Sequence, residues 1–435
     1  MQHLFPEKNI FLLPHGNVTN MSSMFHSCRK LTDLSNFNTA NVTDMSNMFS
    51  YCNMLEKLNL SNFNTTKVED MLYMFYMCQK LTELNLSNFK TEKVKKMSYM
   101  FSYCNMLEKL DLTNFNTAKA TNMQEMFKGC STLQTIYVSD NFVVTGITNE
   151  DYKKDMFTGC KVLKGALTEY DANKTGSEYA NYKTGYFTKL VGMNGDEKIG
   201  AAGETLTAAS LALNDDKDLV VYDPFTATAA SYIRTMEGTT WGTLCLPFEV
   251  SLDGQNFRAF MLLSADERTN TIELEEVNTT IPAGTPVFIK MNEGANSLSF
   301  SVADKEIANE VKTGATADGY QLVGLYATKM FDNDQDNNCY ILKAGKLMNP
   351  AKILSETSTE AVGSKPFRAY MVDNSSSASG AKMFSISENG SNPTGIDLLT
   401  DILNDSNAVY YDLQGHRLSQ PQKCINILKV GDKSL

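Results

Sequence analysis

The chain has 435 residues, 42% of them hydrophobic and 20% charged, with a formal net charge of −11 at pH 7. Its length suggests about two to four domains of ordinary globular composition. The acidic balance excludes sequence-independent nucleic-acid binding and docking on an anionic membrane, which both need clustered Lys and Arg, and no apolar run of eighteen residues is present to form a membrane span.

Residues 1–16 carry no basic start, no long apolar core and no small-residue cleavage site. Read literally this is a cytoplasmic start. The chain enters a repeat almost at once without a capping unit, so the expectation is that its true beginning, with an export signal, is missing.

From residue 17 to 188 one motif recurs, Met-x-x-Met-Phe-x-x-Cys. It stands at Met21–Cys28, Met45–Cys52, Met71–Cys78, Met97–Cys104 and Met123–Cys130, with a shortened copy at Met156–Cys160. The cysteines step by 24, 26, 26, 26 and 30 residues, a period that marks a solenoid of stacked units. Within a unit, Val68, Met71, Met74, Phe75 and Cys78 fall at i, i+3, i+6, i+7 and i+10, which predicts one face of a short helix. Leu81-x-x-Leu84-x-Leu86-x-x-Phe89 then follows the leucine-rich-repeat pattern, with a short strand at its centre. The expected fold class is therefore an α/β leucine-rich-repeat solenoid, with Met, Phe, Leu and Cys stacked as ladders in its core. The cysteines read as small buried hydrophobes, with disulfides or metal between rungs as the alternative.

With Leu58 and Leu60 inward, Lys57 and Asn59 point out, as do Glu83 and Asn85, Lys109 and Asp111, and Thr135 and Tyr137 in later units. This polar, nearly aromatic-free sheet face is the candidate binding surface, a plain solvated face being the other reading.

The blocks Asn-Phe-Asn-Thr-x-x-Val-x-x-Met-x-x-Met-Phe-x-x-Cys-x-x-Leu, as at Asn36–Leu55 and Asn62–Leu81, resemble the BspA-like leucine-rich-repeat family of bacterial surface proteins. The closing run Asp155–Cys160, with Tyr170–Thr175 and Gly185–Thr188, looks like the end of such an array. The resemblance implies a secreted or surface-exposed protein of a host-associated bacterium, an adhesin or interaction protein.

Residues 189–218, rich in Gly, Ala and Thr over Gly192–Ala209, read as a linker. Short apolar runs with turn residues between them then predict an antiparallel β-sandwich-like domain over 219–390. Its fragments Trp241–Phe248, Ile281–Pro286 and Phe367–Tyr370 resemble a β-rich module common in large surface proteins of Bacteroides- and Prevotella-like bacteria. Asp332, Asp334 and Asp336 are a weak metal candidate. Asn337 and Lys343 stand where a calcium-binding EF-hand needs Gly and Glu, and a polar hairpin loop is the simpler reading. Glu273, Glu275 and Glu276 share one predicted strand, as a glycosidase acid–base pair or, more cheaply, as an exposed face.

After a second linker at 391–407, the tail at 408–435 reads as a small β unit. Val409–Leu418 resembles the Tyr-Asp-Leu-Gln-Gly-Arg-Arg-Val tail of secreted Bacteroidetes proteins, related to type IX (Por) sorting domains, with His416 where Arg is usual.

Together these point to a non-enzymatic surface or secreted protein that needs no cofactor. Its expected partner is a host or bacterial surface protein, with glycan or mucin binding through the β domain, around the single Trp241, as the alternative. A fragment of a larger secreted enzyme is the remaining reading. The repeat cysteines are expected unpaired and buried, so a thiol reagent in native buffer should leave most of the six unmodified until denaturant is added.

Overall fold

The computed structural model describes residues 17–388, except 30, 32–33, 35–36, 167–168, 237–239, 267–268, 317–318, 333, 344, 357–360 and 375–382, together with 409–411, 417–418, 427–430 and 433–434. The chain divides into two units. One takes in Met1–Leu213, Lys217–Tyr232 and Phe300–Asn309; the other takes in Asn214–Asp216, Ile233–Ser299 and Glu310–Leu435.

The first unit is a stack of coils, and the expected α/β leucine-rich-repeat architecture is overturned. The Met-x-x-Met-Phe-x-x-Cys segments are tandem turns, not helices. Along Met71–Cys78 the backbone N–H groups of Met71, Tyr73, Phe75 and Met77 bond to Lys96, Ser98, Met100 and Ser102 of the next coil, at 2.9–3.0 Å. Those of Met74, Tyr76 and Cys78 bond three residues back within their own coil, and Leu72 N–H bonds to the Asp70 carboxylate at 3.0 Å. Every donor is thereby satisfied, half of them lengthwise. An α-helix would turn all of them inward to i−4 and leave the coils unjoined. The alternation requires a left-handed residue twice per coil: Asn47 and Tyr51, Tyr73 and Met77, Tyr99 and Tyr103, then Glu125 and Gly129. Each of these halts a helix, because a left-handed L-residue costs about 1–2 kcal/mol.

The same spacing still carries the apolar set inward. Phe25, Phe49, Phe75, Phe101, Phe127 and Phe157 form one pile of nearly parallel rings, 5.4–5.8 Å between centroids. Each cysteine thiol from Cys52 onward donates to the carbonyl of the phenylalanine in the coil before: Cys52 to Phe25 at 3.1 Å, Cys78 to Phe49 at 3.2 Å, Cys104 to Phe75 at 3.3 Å. All six repeat cysteines are free; five are buried and Cys28 is partly exposed.

Two polar ladders finish the coils. The hydroxyls of buried Thr39, Thr65 and Thr91 each accept a backbone N–H and donate to a carbonyl of one residue in the next coil, as with Thr91 and Asn116 (2.8 and 2.9 Å). The side chains of Asn62, Asn88 and Asn114 donate to carbonyls of the coil before. Short strands lie on one side: β1 (Lys57–Asn59), β2 (Glu83–Asn85), β3 (Lys109–Asp111) and β4 (Thr135–Val138), with β1–β2 and β3–β4 paired parallel and in register. Phe187 closes the phenylalanine pile, edge-on to Phe127 and Phe157. Strand β5 (Thr188–Asn194) continues the ladder beside β4 and turns back antiparallel into β6 (Glu197–Ala202). Strands thus occupy much of the stretch expected as a linker, since the Gly and Ala there sit in paired backbone rather than in a spacer.

Among the described residues, the main sheet of the second unit has ten strands, with two two-stranded sheets as well, rather than two facing sheets. Its pairs are antiparallel apart from Thr271–Val277 with Met383–Glu388. Phe288 lies near one end of the strand order and Tyr320 and Leu322 near the other, yet all three share a buried core with Phe260, Tyr340 and Phe384. The sheet therefore curls around its own apolar face, which removes the need for a covering sheet. Strands Val409–Tyr411, Arg417–Leu418, Ile427–Val430 and Lys433–Ser434 form a small antiparallel sheet. The segment 1–16, the 391–407 linker, His416 and Cys424 lie outside the described residues.

Thr91→Val keeps volume and removes the bridging hydroxyl. It leaves two buried backbone groups of Asn116 unpaired, so chemical denaturation should show a loss of about 2–4 kcal/mol. Thr66→Val, exposed in the equivalent turn of the coil before, should cost less than about 1 kcal/mol.

Candidate functional site

The coil stack has a strand side, where the sequence-predicted residues lie, and a turn side. On the strand side, Lys57 and Glu83 pair with each other at 2.5 Å, both about two-thirds exposed; such a pair is screened by solvent and contributes little. Asn59, Asn85 and Asp111 each accept the backbone N–H two residues on, at 3.0 Å, capping the turn after the strand. Asp111 also pairs with Lys198 of β6, and Tyr137 is buried with Lys198 above its ring. Thr135 is partly exposed beside them, while Lys109 is exposed. The predicted site residues therefore share one strip, but most serve the fold and the far end is covered by β6.

The turn side is different. His26, Tyr51, Tyr73, Tyr76, Tyr99 and Tyr103 make one continuous aromatic strip across the coils. His26 lies 5.3 Å from Tyr51, and Tyr51 meets Tyr76 edge-on at 5.3 Å. Tyr76 also stands edge-on to Tyr73, Tyr99 and Tyr103, while Tyr73 and Tyr99 stack at 4.6 Å. Tyr51 is 43% exposed and the other four tyrosines are half-buried. They are fixed by the backbone beneath them, which is bonded coil to coil.

Tyr51, Tyr73, Tyr99 and Tyr103 occupy left-handed positions, with φ between +58° and +61°. Gly129 and Gly159 fill the equivalent place in the last two coils, and Gly is the residue such a backbone prefers. A Cβ on Gly129 would lie 2.5 Å from the Tyr103 ring, so the glycine there makes room for the tyrosine before it.

At one end Tyr99 donates to Glu125 at 3.2 Å and Glu125 pairs with Lys128. Burial raises the phenol pKa of Tyr73 and Tyr76. Tyr99 is pushed up to about 12, by burial first and by the Glu125 carboxylate next. The phenols of Tyr73, Tyr76 and Tyr99 therefore keep their protons at physiological pH. The signal was present in the sequence as tyrosine recurring at the variable positions of the motif, but a helical reading scatters those positions away from the conserved face.

In the second unit Asp332, Asp334 and Asp336 do not converge. Asp332 accepts the N–H groups of Asp334 and Gln335, and Asp336 accepts Asp332 N–H and pairs with Lys329 at 2.9 Å. Lysine already supplies the cation, and among the described residues no three metal-ligating side chains gather. Glu276 is held in a fork by Arg258, at 2.6 and 2.7 Å. In the first unit, a cavity of ≈ 350 Å³ surrounds Lys189, which bridges Asp140 at 2.9 Å and Asp223 at 3.3 Å. Burial opposes the ammonium, and the two carboxylates more than offset it, so Lys189 stays charged; the cluster is an internal clamp.

The first unit is a stack of repeated coils with an aromatic strip along its turn side. Residues 5–85 and 55–170 match the family DUF285, described as a Mycoplasma protein of unknown function. The match covers the coil block and supports its place among repeat arrays of the Mycoplasma and BspA-like kind. It includes neither the curled sheet nor the tail. No curated protein and no solved structure gives a significant match to the chain. Among the described residues, no helix is long and apolar enough to cross a membrane.

The raised Tyr99 pKa stabilises the fold fully below the ordinary tyrosine value of 10, and that contribution is lost as pH rises toward about 12. The unfolding temperature should therefore fall across pH 10–12, and Glu125→Gln should move the Tyr99 transition, identified in an absorbance titration by its loss in Tyr99→Phe, to lower pH.

Proposed function

We propose that this is a non-enzymatic binding protein, displayed at the cell surface or secreted, that adheres to or engages a protein partner through its coil stack. The tyrosine strip carries this reading. Tyrosine supplies a large contact area at low entropic cost and a hydroxyl at its rim, which is why it concentrates at protein interfaces. The strip spans several coils, so it suits an extended partner surface better than a small molecule. The resemblance to BspA-like surface proteins supports the same reading, with a host or bacterial surface protein as partner; the second unit supports or spaces the stack.

Two measurements test it. Protease shaving of intact producing cells should release peptides from the coil block; complete retention inside the cell would overturn surface display. Binding of the full chain to immobilised host extracellular-matrix proteins should weaken by about tenfold or more for Tyr51→Ser/Tyr76→Ser/Tyr103→Ser, as expected for contact-centre tyrosines, with little change in unfolding temperature. Undiminished binding by a folded variant would rule the strip out.

A further inference from the structure

We propose that the cavity beside Lys189 in the first unit binds one neutral pyranose sugar. The site is separate from the tyrosine strip, and either can fail without the other.

Three segments distant in sequence meet there. Val138, at the end of β4, pairs with Lys189 at the start of β5. Strand Leu219–Val221 pairs antiparallel with β5, and the N–H of Tyr222 just after it bonds to Val191 O at 2.8 Å. Ser139, Asp140, Lys189, Tyr222 and Asp223 thereby line one cavity of ≈ 350 Å³, within the range of small-ligand sites and suited to a single ring.

Part of this lining is closed and part is open. The Lys189 ammonium, 9% exposed, is held between Asp140 and Asp223, and Tyr182 donates to the other oxygen of Asp140 at 2.7 Å. Those contacts fix the two carboxylates before any ligand arrives. Tyr222 is open. It is 51% exposed, and among the described residues its ring meets no other ring and its hydroxyl has no partner. Asp223 faces Lys189 through Oδ2, on a side chain 39% exposed, and its Oδ1 has no partner among the described residues. Ser139 Oγ accepts the N–H of Asn141 at 3.4 Å and keeps its own proton to give.

Charge selects the ligand. A cation entering beside Tyr222 meets the resident ammonium, and an anion meets two carboxylates, so each is opposed at short range. A plain apolar ring leaves Asp223 Oδ1 and the hydroxyls of Ser139 and Tyr222 covered and unpaired. A neutral sugar uses all of them. Its C–H face covers the tyrosine ring, and its adjacent hydroxyls, each both donor and acceptor, take the carboxylate oxygen and the serine proton.

Saturation-transfer NMR on the full-length chain tests this, with the methyl glycosides of glucose, galactose, mannose, fucose, N-acetylglucosamine and N-acetylgalactosamine as probes. At least one should show transfer, strongest at the protons of one ring face. Tetramethylammonium chloride and sodium acetate at the same concentration should show none and should not displace the sugar. Tyr222→Ala and, independently, Asp223→Ala should each weaken the sugar by about tenfold. The unfolding temperature should stay close to that of the parent chain, because Tyr222 is exposed and Lys189 keeps its pairing with Asp140. Tyr51→Ser/Tyr76→Ser/Tyr103→Ser should leave the transfer unchanged. No transfer from any probe would overturn the site. Undiminished transfer in folded Tyr222→Ala, or its loss in the folded triple variant, would move the sugar elsewhere, and equal transfer to tetramethylammonium or acetate would make the cavity a general ion contact; each of these refutes the assignment.

Discussion

The first unit depends on the lengthwise hydrogen bond between tandem turns. Each coil offers half of its turn N–H groups to the next coil, and that demand sets everything else in the repeat. The bonds form only if successive coils lie in exact superposition, so every buried side chain sits on its own copy: phenylalanine on phenylalanine, cysteine above the phenylalanine carbonyl, threonine hydroxyl against the next coil's peptide. A side chain of the wrong size is felt twice, once by each neighbour. Stability in such a stack is close to a sum over coils and their junctions.

The cysteines show how tightly this couples chemistry to geometry. A thiol is a weak donor, and a buried carbonyl already accepting one N–H asks for little more. Serine is similar in shape and more polar, so it would lose more on leaving water. The spacing of these cysteines shows only that something small and apolar belongs there; that the sulfur also closes an accounting of backbone carbonyls becomes visible once the coils are stacked.

Much of the first unit was legible beforehand. The period, the inward set Val68, Met71, Met74, Phe75 and Cys78, the short strands and the free cysteines all follow from the repeat. The helix does not, because helices and tandem turns with a left-handed residue every fourth place bring i, i+3, i+4 and i+7 to one side alike. The discriminating sign is small: Gly129 and Gly159 at the place where Tyr51 and Tyr103 stand. Misreading that backbone hid the tyrosine strip, since the outward residues of a helix fan apart whereas those of stacked turns line up. The strand-side candidates illustrate the converse. Asn59, Asn85 and Asp111 look available in sequence, yet their side chains are already engaged with their own backbone. In the curled sheet the strands are readable as apolar runs. Asp140, Lys189 and Tyr222 come from distant segments, and no local spacing announces that they share a cavity.

The left-handed turn positions carry a further consequence. One of them bears Ser23, Asn47, Tyr73, Tyr99, Glu125 and Asp155 in successive coils over the same backbone. The coil thus keeps its interior and its surface on separate accounts of mutation. Duplication or loss of a whole 26-residue unit lengthens or shortens the strip by a fixed increment, and substitution at the two left-handed places rewrites what the strip displays, without disturbing a single core contact. A lineage carrying this array can change the text its surface displays while leaving the page intact.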